Sequence, residues 1–372
     1  MAELVNDPKI VSPFLPSLLH FASVKVAIQL FNNFDIETLN TAFTEIKHGN
    51  SSSSKEGGNS TSSKEDGNSS SSKEGGQDNY EAMKAKEHLL FIPAHLREKV
   101  LETDKGLNYS LWRWQKDHSK IISLEDIECT LYWRSDGTIN AVKAAEQLVL
   151  DESIDITTRF EIACMYCFEK SVKNLWVEMQ ASRVTYITAD NSAARFWIRW
   201  MSDGSRVPWT RAILEYVDPF RIRNLRFSCF FHLLQPKDRQ KFLYSLQFTA
   251  EDDFRFCLYS MTKEEEEEML ASEATRFFLL HLRWPLQSLF LQTVEKTWDF
   301  IGNGLFQFLF DIISNYNIIW QDFDYHKLYQ DFWNRRPNRL MESTEERPCF
   351  KKRIDVYFVK IGRKRKVDKQ TD

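Results

Sequence analysis

The chain has 372 residues, 42% hydrophobic and 14% aromatic, which excludes disorder throughout and leads us to expect two or three domains or one elongated array. Its 53 acidic and 49 basic residues give a net charge of −4, so the chain as a whole is neither a polycation nor a polyanion. Five of only 12 glycines (Gly57, Gly58, Gly67, Gly75, Gly76) crowd into one low-complexity stretch, leaving too few for the tight turns of a Rossmann enzyme, a β-propeller or a turn-rich sandwich.

The opening Met1 to Asp7 lacks the basic region of a signal peptide, and the apolar run from Phe14 to Phe31 is broken by His20, Lys25 and Gln29. We therefore expect no membrane association and an intracellular location, cytoplasmic or nuclear. The six cysteines (Cys129, Cys164, Cys167, Cys229, Cys257, Cys349) then read as reduced thiols.

An N-terminal helical pair is predicted within 1–48. Apolar residues recur at helical spacing over Ser17 to Asn32, behind Pro16, and a second helix over Ile36 to Lys47 has Asp35 as its N-cap. Residues 49–78 form a tether. It holds NSSSSKEGG, NSTSSKEDG and NSSSSKEGG in tandem, with no apolar side chain to repay the entropy of ordering. Ser53, Ser62 and Ser63 have acidic residues at +3, a phosphorylation pattern, although an expanded loop repeat is the favoured reading.

The main helical array is placed at 79–340. Its expected helices are Tyr80 to Phe91, His95 to Thr103 (ended near Gly106), Tyr109 to Lys120, Leu124 to Arg134, Ile139 to Leu150, Thr157 to Cys167 and Val172 to Ala181. Ala193 to Met201, Thr210 to Val217, Arg221 to Leu234, Asp238 to Leu246, Asp252 to Met261 and Glu264 to Leu282 follow. Leu286 to Ile301, Leu305 to Ile319 and Tyr325 to Asn334 complete the series. Asp136-Gly137, Asp203-Gly204 and single prolines punctuate it. Many short helices with short joints point to an all-α fold of stacked helical hairpins.

One phrase recurs: Arg159-Phe160, Arg226-Phe227 and Arg255-Phe256 each open an apolar helix followed by a polar break and a second helix. Thr158 to Trp176 resembles an ankyrin repeat. Thr158, Phe160, Ala163-Cys164, Val172 and Leu175-Trp176 match the family's pattern, whereas Arg159, Glu161 and Cys167 stand in place of its Pro, His and inter-helix Gly. The resemblance implies an ankyrin-like or more general α-solenoid array that binds protein and does not catalyse.

Local signatures of chemistry are sparse. Cys164 and Cys167 form a CxxC without a second pair, in the middle of a helix, and read as core packing. The eight histidines are dispersed, and no zincin, nucleophile-elbow or P-loop motif occurs. The acidic run Glu264 to Glu268 follows Thr262, which can form a capping box with Glu265 at +3 while the carboxylates favour the helix dipole, a reading preferred over an acidic docking face. Trp112, Trp114, Trp133, Trp197, Trp200 and Trp209 lie near Arg113, Arg134, Arg195, Arg199 and Arg211. That suggests base stacking, but packing beneath snorkelling arginines is favoured. The tail 341–372 carries +7 from Arg347 onward, leaving −11 on the rest. Within it Arg363, Lys364, Arg365 and Lys366 resemble a nuclear-import signal. Ile354, Val356 and Phe358 alternate as in a short strand.

The expected function is a non-enzymatic protein–protein interaction scaffold, with no cofactor and no metal. A nuclear nucleic-acid-associated protein and an enzyme without a local motif are the alternatives. The partner is an unidentified protein; nucleic acid is disfavoured, and the oligomeric state is open.

Overall fold

The computed structural model describes residues 9–51, 74–119, 121–122, 131–184, 191–203 and 226–345. The protein is all-α: among the described residues there is no strand, only an antiparallel bridge between Trp133 and Ile139. No described helix is long and apolar enough to cross a membrane. By compactness the chain divides into one unit within Met1–Leu15 and Tyr109–Ile313 and another within Pro16–Asn108 and Ser314–Asp372.

The second unit begins with α1 (Leu18–Phe31), α2 (Ile36–Ser51) and α3 (Glu74–Leu90), and α2 packs on α3. Of the tether expected at 49–78, residues up to 51 and from 74 are helical, and 52–73, with Ser53, Ser62 and Ser63, lie outside the described residues. The starts follow local chemistry. Ser17 accepts the amide of His20 at 3.2 Å, and Asp35 accepts that of Thr38 at 2.7 Å, so side-chain oxygens satisfy amides that the first turn leaves orphaned. At the other end of α3, the Arg97 Nε donates to the carbonyls of Leu89 and Ile92, each at 2.9 Å.

Residues 94–118 form one helix, α4 (Ala94–His118), where two had been expected with a break near Gly106. A helical glycine costs only about 1 kcal/mol, and burying neighbours such as Leu101 and Leu107 outweighs it. Of the helix expected over Leu124 to Arg134, only 131–134 depart from expectation. Residues 124–130 lie outside the described part, while 131–134 form no helix. The amide of Arg134 bonds the Thr138 carbonyl at 2.7 Å around Gly137, whose φ of 81° is left-handed. The Asp136-Gly137 turn overrides the apolar spacing before it.

The first unit continues with α5 (Ala141–Leu150), α6 (Ile156–Met165), α7 (Glu169–Ala181) and α8 (Ser192–Asp203). The α6 helix packs on α5, α7 and α8. Cys167 joins α6 to α7 at φ 56°, a left-handed position that glycine adopts without strain, so the joint carries a conformational cost. Trp197 of α8 donates its indole N–H to the Cys164 carbonyl at 3.1 Å, locking α8 against α6.

Next come α9 (Ser228–Phe231) and α10 (Pro236–Arg239), the latter running into a 3₁₀ turn at Gln240–Phe248. Then follow α11 (Glu251–Ser260), α12 (Lys263–His281), α13 (Phe290–Thr297) and α14 (Asn303–Ile319). The single helix expected over Leu286 to Ile301 is α13 flanked by 3₁₀ turns at Gln287–Leu289 and Trp298–Phe300. The expected helix Thr210 to Val217 and the start of Arg221 to Leu234 fall outside the described residues. The last helices are α15 (Tyr325–Asn334) and α16 (Asn338–Glu345), and α16 runs through the 340/341 boundary drawn from sequence.

The α12 start carries the expected capping box: Thr262 Oγ1 accepts the Glu265 amide at 3.3 Å and Glu265 Oε2 accepts the Thr262 amide at 2.8 Å. Thr262→Ala is expected to cost about 1 kcal/mol in urea denaturation, since it unpairs one orphan amide. An unchanged midpoint would show that Glu265 holds the turn alone.

Candidate functional site

The cleft that gathers most polar chemistry lies in the first unit. Residues 110, 113, 114, 117 and 118 of α4 recur at three- and four-residue spacing, which puts Ser110, Arg113, Trp114, Asp117 and His118 on one stripe. The first turns of α11 add Glu251, Asp252 and Arg255. The stretch before α9 adds Arg226, and the turn at 136–138 adds Thr138. Leu280, Trp284 and Leu286 complete a cleft of about 70 Å³.

Its charges are paired. Arg226 grips both Asp252 oxygens and lies 4.1 Å from the Tyr166 ring centroid. Arg255 faces Asp136 at 3.4 Å and donates to Thr138 Oγ1 at 3.3 Å. Glu251 Oε2 receives Arg283 at 2.5 Å and the Tyr109 hydroxyl at 3.3 Å, with Arg113 Nε 3.8 Å away. Beside them Asp253 accepts the amides of Phe227 and Ser228, fixing the start of α9.

Burial pushes the Asp117 carboxyl up to about 6 despite the opposing Arg113 charge, and burial likewise raises Asp253 to about 6. Burial also works against the Asp252 charge, but Arg226 in front of it holds that carboxyl below the usual range. His118 is buried, and burial lowers its pKa to about 4. A carbonyl can only accept, so His118 Nδ1–H donates to Trp114 O at 2.6 Å and Nε2 accepts the Tyr166 hydroxyl at 2.8 Å. Both ring nitrogens are therefore engaged, and the lowered pKa keeps the imidazole neutral above about pH 4.

A different surface occupies the second unit. A groove of about 710 Å³ between α1 and the end of α3 is lined by Val26, Ile28, Leu30, Phe91 and Ile92, with Lys25, Gln29 and His88 among them. Phe91 is 89% exposed and Leu18 87%, and Leu19 and Leu90 are exposed as well. Water-facing apolar side chains in such number mark a contact surface more often than a resting one.

The residues singled out in the sequence are distributed unevenly. Arg363, Lys364, Arg365 and Lys366 and the strand pattern at 354–358 lie outside the described residues. Cys164 is buried, and burial raises the thiols of Cys164 and Cys167 well above their ordinary value, which suits packing. Among the described residues no group of three or more His, Cys, Asp or Glu could hold a metal ion. Of the tryptophans considered for base stacking, Trp114 and Trp197 are buried, while Trp112 is half-exposed beneath Lys116. Trp209 and Arg211 are outside the described part.

Arg226 and Arg255 were visible only as the openings of the recurring Arg-Phe phrase, and it is their arginines that enter the cleft. Arg159, from the first copy, instead donates to the Val149 carbonyl at the end of α5, at 2.9 Å. The phenylalanines diverge too: Phe160 and Phe227 are buried, Phe256 exposed. Compared with protein-family models, with curated proteins and with solved structures, the chain matches none.

Proposed function

We propose that the chain is a non-enzymatic protein–protein interaction scaffold. In this reading its helical hairpins stack so that each covers its neighbour's apolar face, with α6 and α7 as the ankyrin-like hairpin and no cofactor required. The observation that carries the proposal is the apolar groove beside Phe91. A side chain of that size standing 89% exposed, next to exposed Leu90, gains most by entering a partner's surface. The cleft of the first unit supports the same reading, because its arginines and carboxylates are already engaged with one another.

Phe91→Asp changes a position that is 89% exposed and so should leave the fold intact. Tagged wild-type chain recovered from its native cells is expected to carry a stoichiometric protein partner, and Phe91→Asp to lose it. Equal recovery with both chains, or no stoichiometric partner with either, would overturn the proposal.

A further inference from the structure

The stretch before α1 is not a loose end. Residues 9–14 cross the surface made by α11, α12 and α13 without secondary structure of their own, and four of their backbone groups are hydrogen-bonded to side chains of those helices. The amides of Ile10 and Val11 both donate to Glu266 Oε2, at 2.7 and 3.3 Å. The Ile10 carbonyl and the Ser12 hydroxyl accept from Lys296 Nζ, each at 3.3 Å. The Phe14 amide donates to the Tyr259 hydroxyl at 3.3 Å, and Lys9 reaches the Tyr259 carbonyl at the same distance. Ile10 and Val11 are buried while Pro13 is exposed.

Glu266 is the telling residue. It is 0% exposed, yet its partners are the two amides of this segment, and its other oxygen, Oε1, has no hydrogen-bond partner. A buried carboxylate is costly unless charge or donors face it. Burial raises its pKa, and Lys9 and Lys296 nearby act in the opposite sense. The groove thus supplies an acceptor for successive backbone amides, a cation for the carbonyl between them, and pockets for two adjacent aliphatic side chains. Main-chain bonds for affinity with side-chain pockets for specificity is how proteins recognise extended peptides.

We infer that this groove is a peptide-docking site, occupied in cis by residues 9–14. Its partner in trans would be an extended segment of another protein with two adjacent aliphatic residues, then a serine and, two positions on, an aromatic residue. The tethered segment competes at high effective concentration, so a partner binds only the fraction of molecules whose strap is undocked. The inference extends the scaffold reading to a second surface. Peptide binding by purified chain reads this groove alone, whatever co-purification shows for Phe91.

The test uses the full-length chain with Ile10→Asp and Val11→Asp, which expels the strap, and a fluorescent peptide Lys-Ile-Val-Ser-Pro-Phe-Leu matching residues 9–15. Fluorescence anisotropy is expected to show saturable binding to the double variant, at least about tenfold weaker binding to wild type, and a further loss of about tenfold or more when Glu266→Gln is added. Hydrogen exchange on wild type provides an independent reading: the Ile10 and Val11 amides should exchange well before those of α11. A folded double variant that ignores the peptide, a double variant that no longer folds, or strap amides as slow as α11 would each overturn the inference.

Discussion

Arg226→Met is expected to destabilise the chain by about 3–5 kcal/mol, the largest single effect in the first unit. The substitution keeps much of the volume but strips Asp252 of the guanidinium that grips both its oxygens. It also removes the cation from the Tyr166 face, and Tyr166 in turn holds His118. The loss should depend on pH. In wild type the Asp252 carboxyl titrates below its ordinary value of 3.8, so the stability it contributes is complete above that value and disappears as pH falls through the native one. Without Arg226 the half-buried carboxyl takes up a proton more readily, so the gap between wild type and variant should narrow from pH 7 towards pH 4. Urea denaturation at both pH values measures this. Adding Asp252→Leu should restore part of the loss, because an apolar pair replaces a stranded charge. A single-variant cost below about 1 kcal/mol would mean that water, not Arg226, solvates Asp252.

The opposite sign is expected at Asp104 of α4. This side chain is buried, its Oδ2 accepts from Asn108 at 3.2 Å, and its Oδ1 has no hydrogen-bond partner. Burial raises its pKa to about 7, with Lys105 only partly opposing. The native value lies above the unfolded one of 3.8, so the native state holds the proton more tightly. The associated stability is therefore complete below about pH 4 and is lost as pH rises through 7. Asp104→Asn removes the charge and keeps an acceptor for Asn108. At pH 8 the variant should gain about 2–3 kcal/mol, after about 1 kcal/mol is given back for an amide without a full set of partners. At pH 5 the two chains should differ little. Paired thermal melts at pH 5 and pH 8 decide it, and a variant less stable than wild type at pH 8 would contradict the expectation.

Neither effect is legible in the sequence, and the reason is the range of the interactions. Arg226 was noticed because a phrase recurs, but its carboxylate partner lies 26 residues away and nothing near Arg226 announces it. Asp104 falls in the break expected between Thr103 and Tyr109, whereas in the structure α4 runs through it and its side chain is buried. Glu266 reads as the middle of an acidic run completing a helix start. In the structure it is the buried receptor for two amides, the nearer of them 255 residues away in the chain. The groove beside Phe91 was similarly hidden, since Phe91 looks in sequence like the last apolar residue of a core-facing stripe.

Where the determinant spans a few neighbouring residues, the sequence alone was sufficient. The all-α class follows from helical spacing and scarce glycine, and Asp35 and Thr262 with Glu265 cap helices where side-chain chemistry said they should, while α1 starts just behind the Pro16-Ser17 pair. Each of those contacts closes within four residues, so no tertiary information is needed to place it. The tertiary structure decided which charges meet, which carboxylates lose their water, and which apolar side chains stay outside. It also carried α4 through Gly106 and let the Asp136-Gly137 turn end a stripe that had promised a helix. Those outcomes depend on what packs against a residue, and packing energies of several kcal/mol override local preferences of about one.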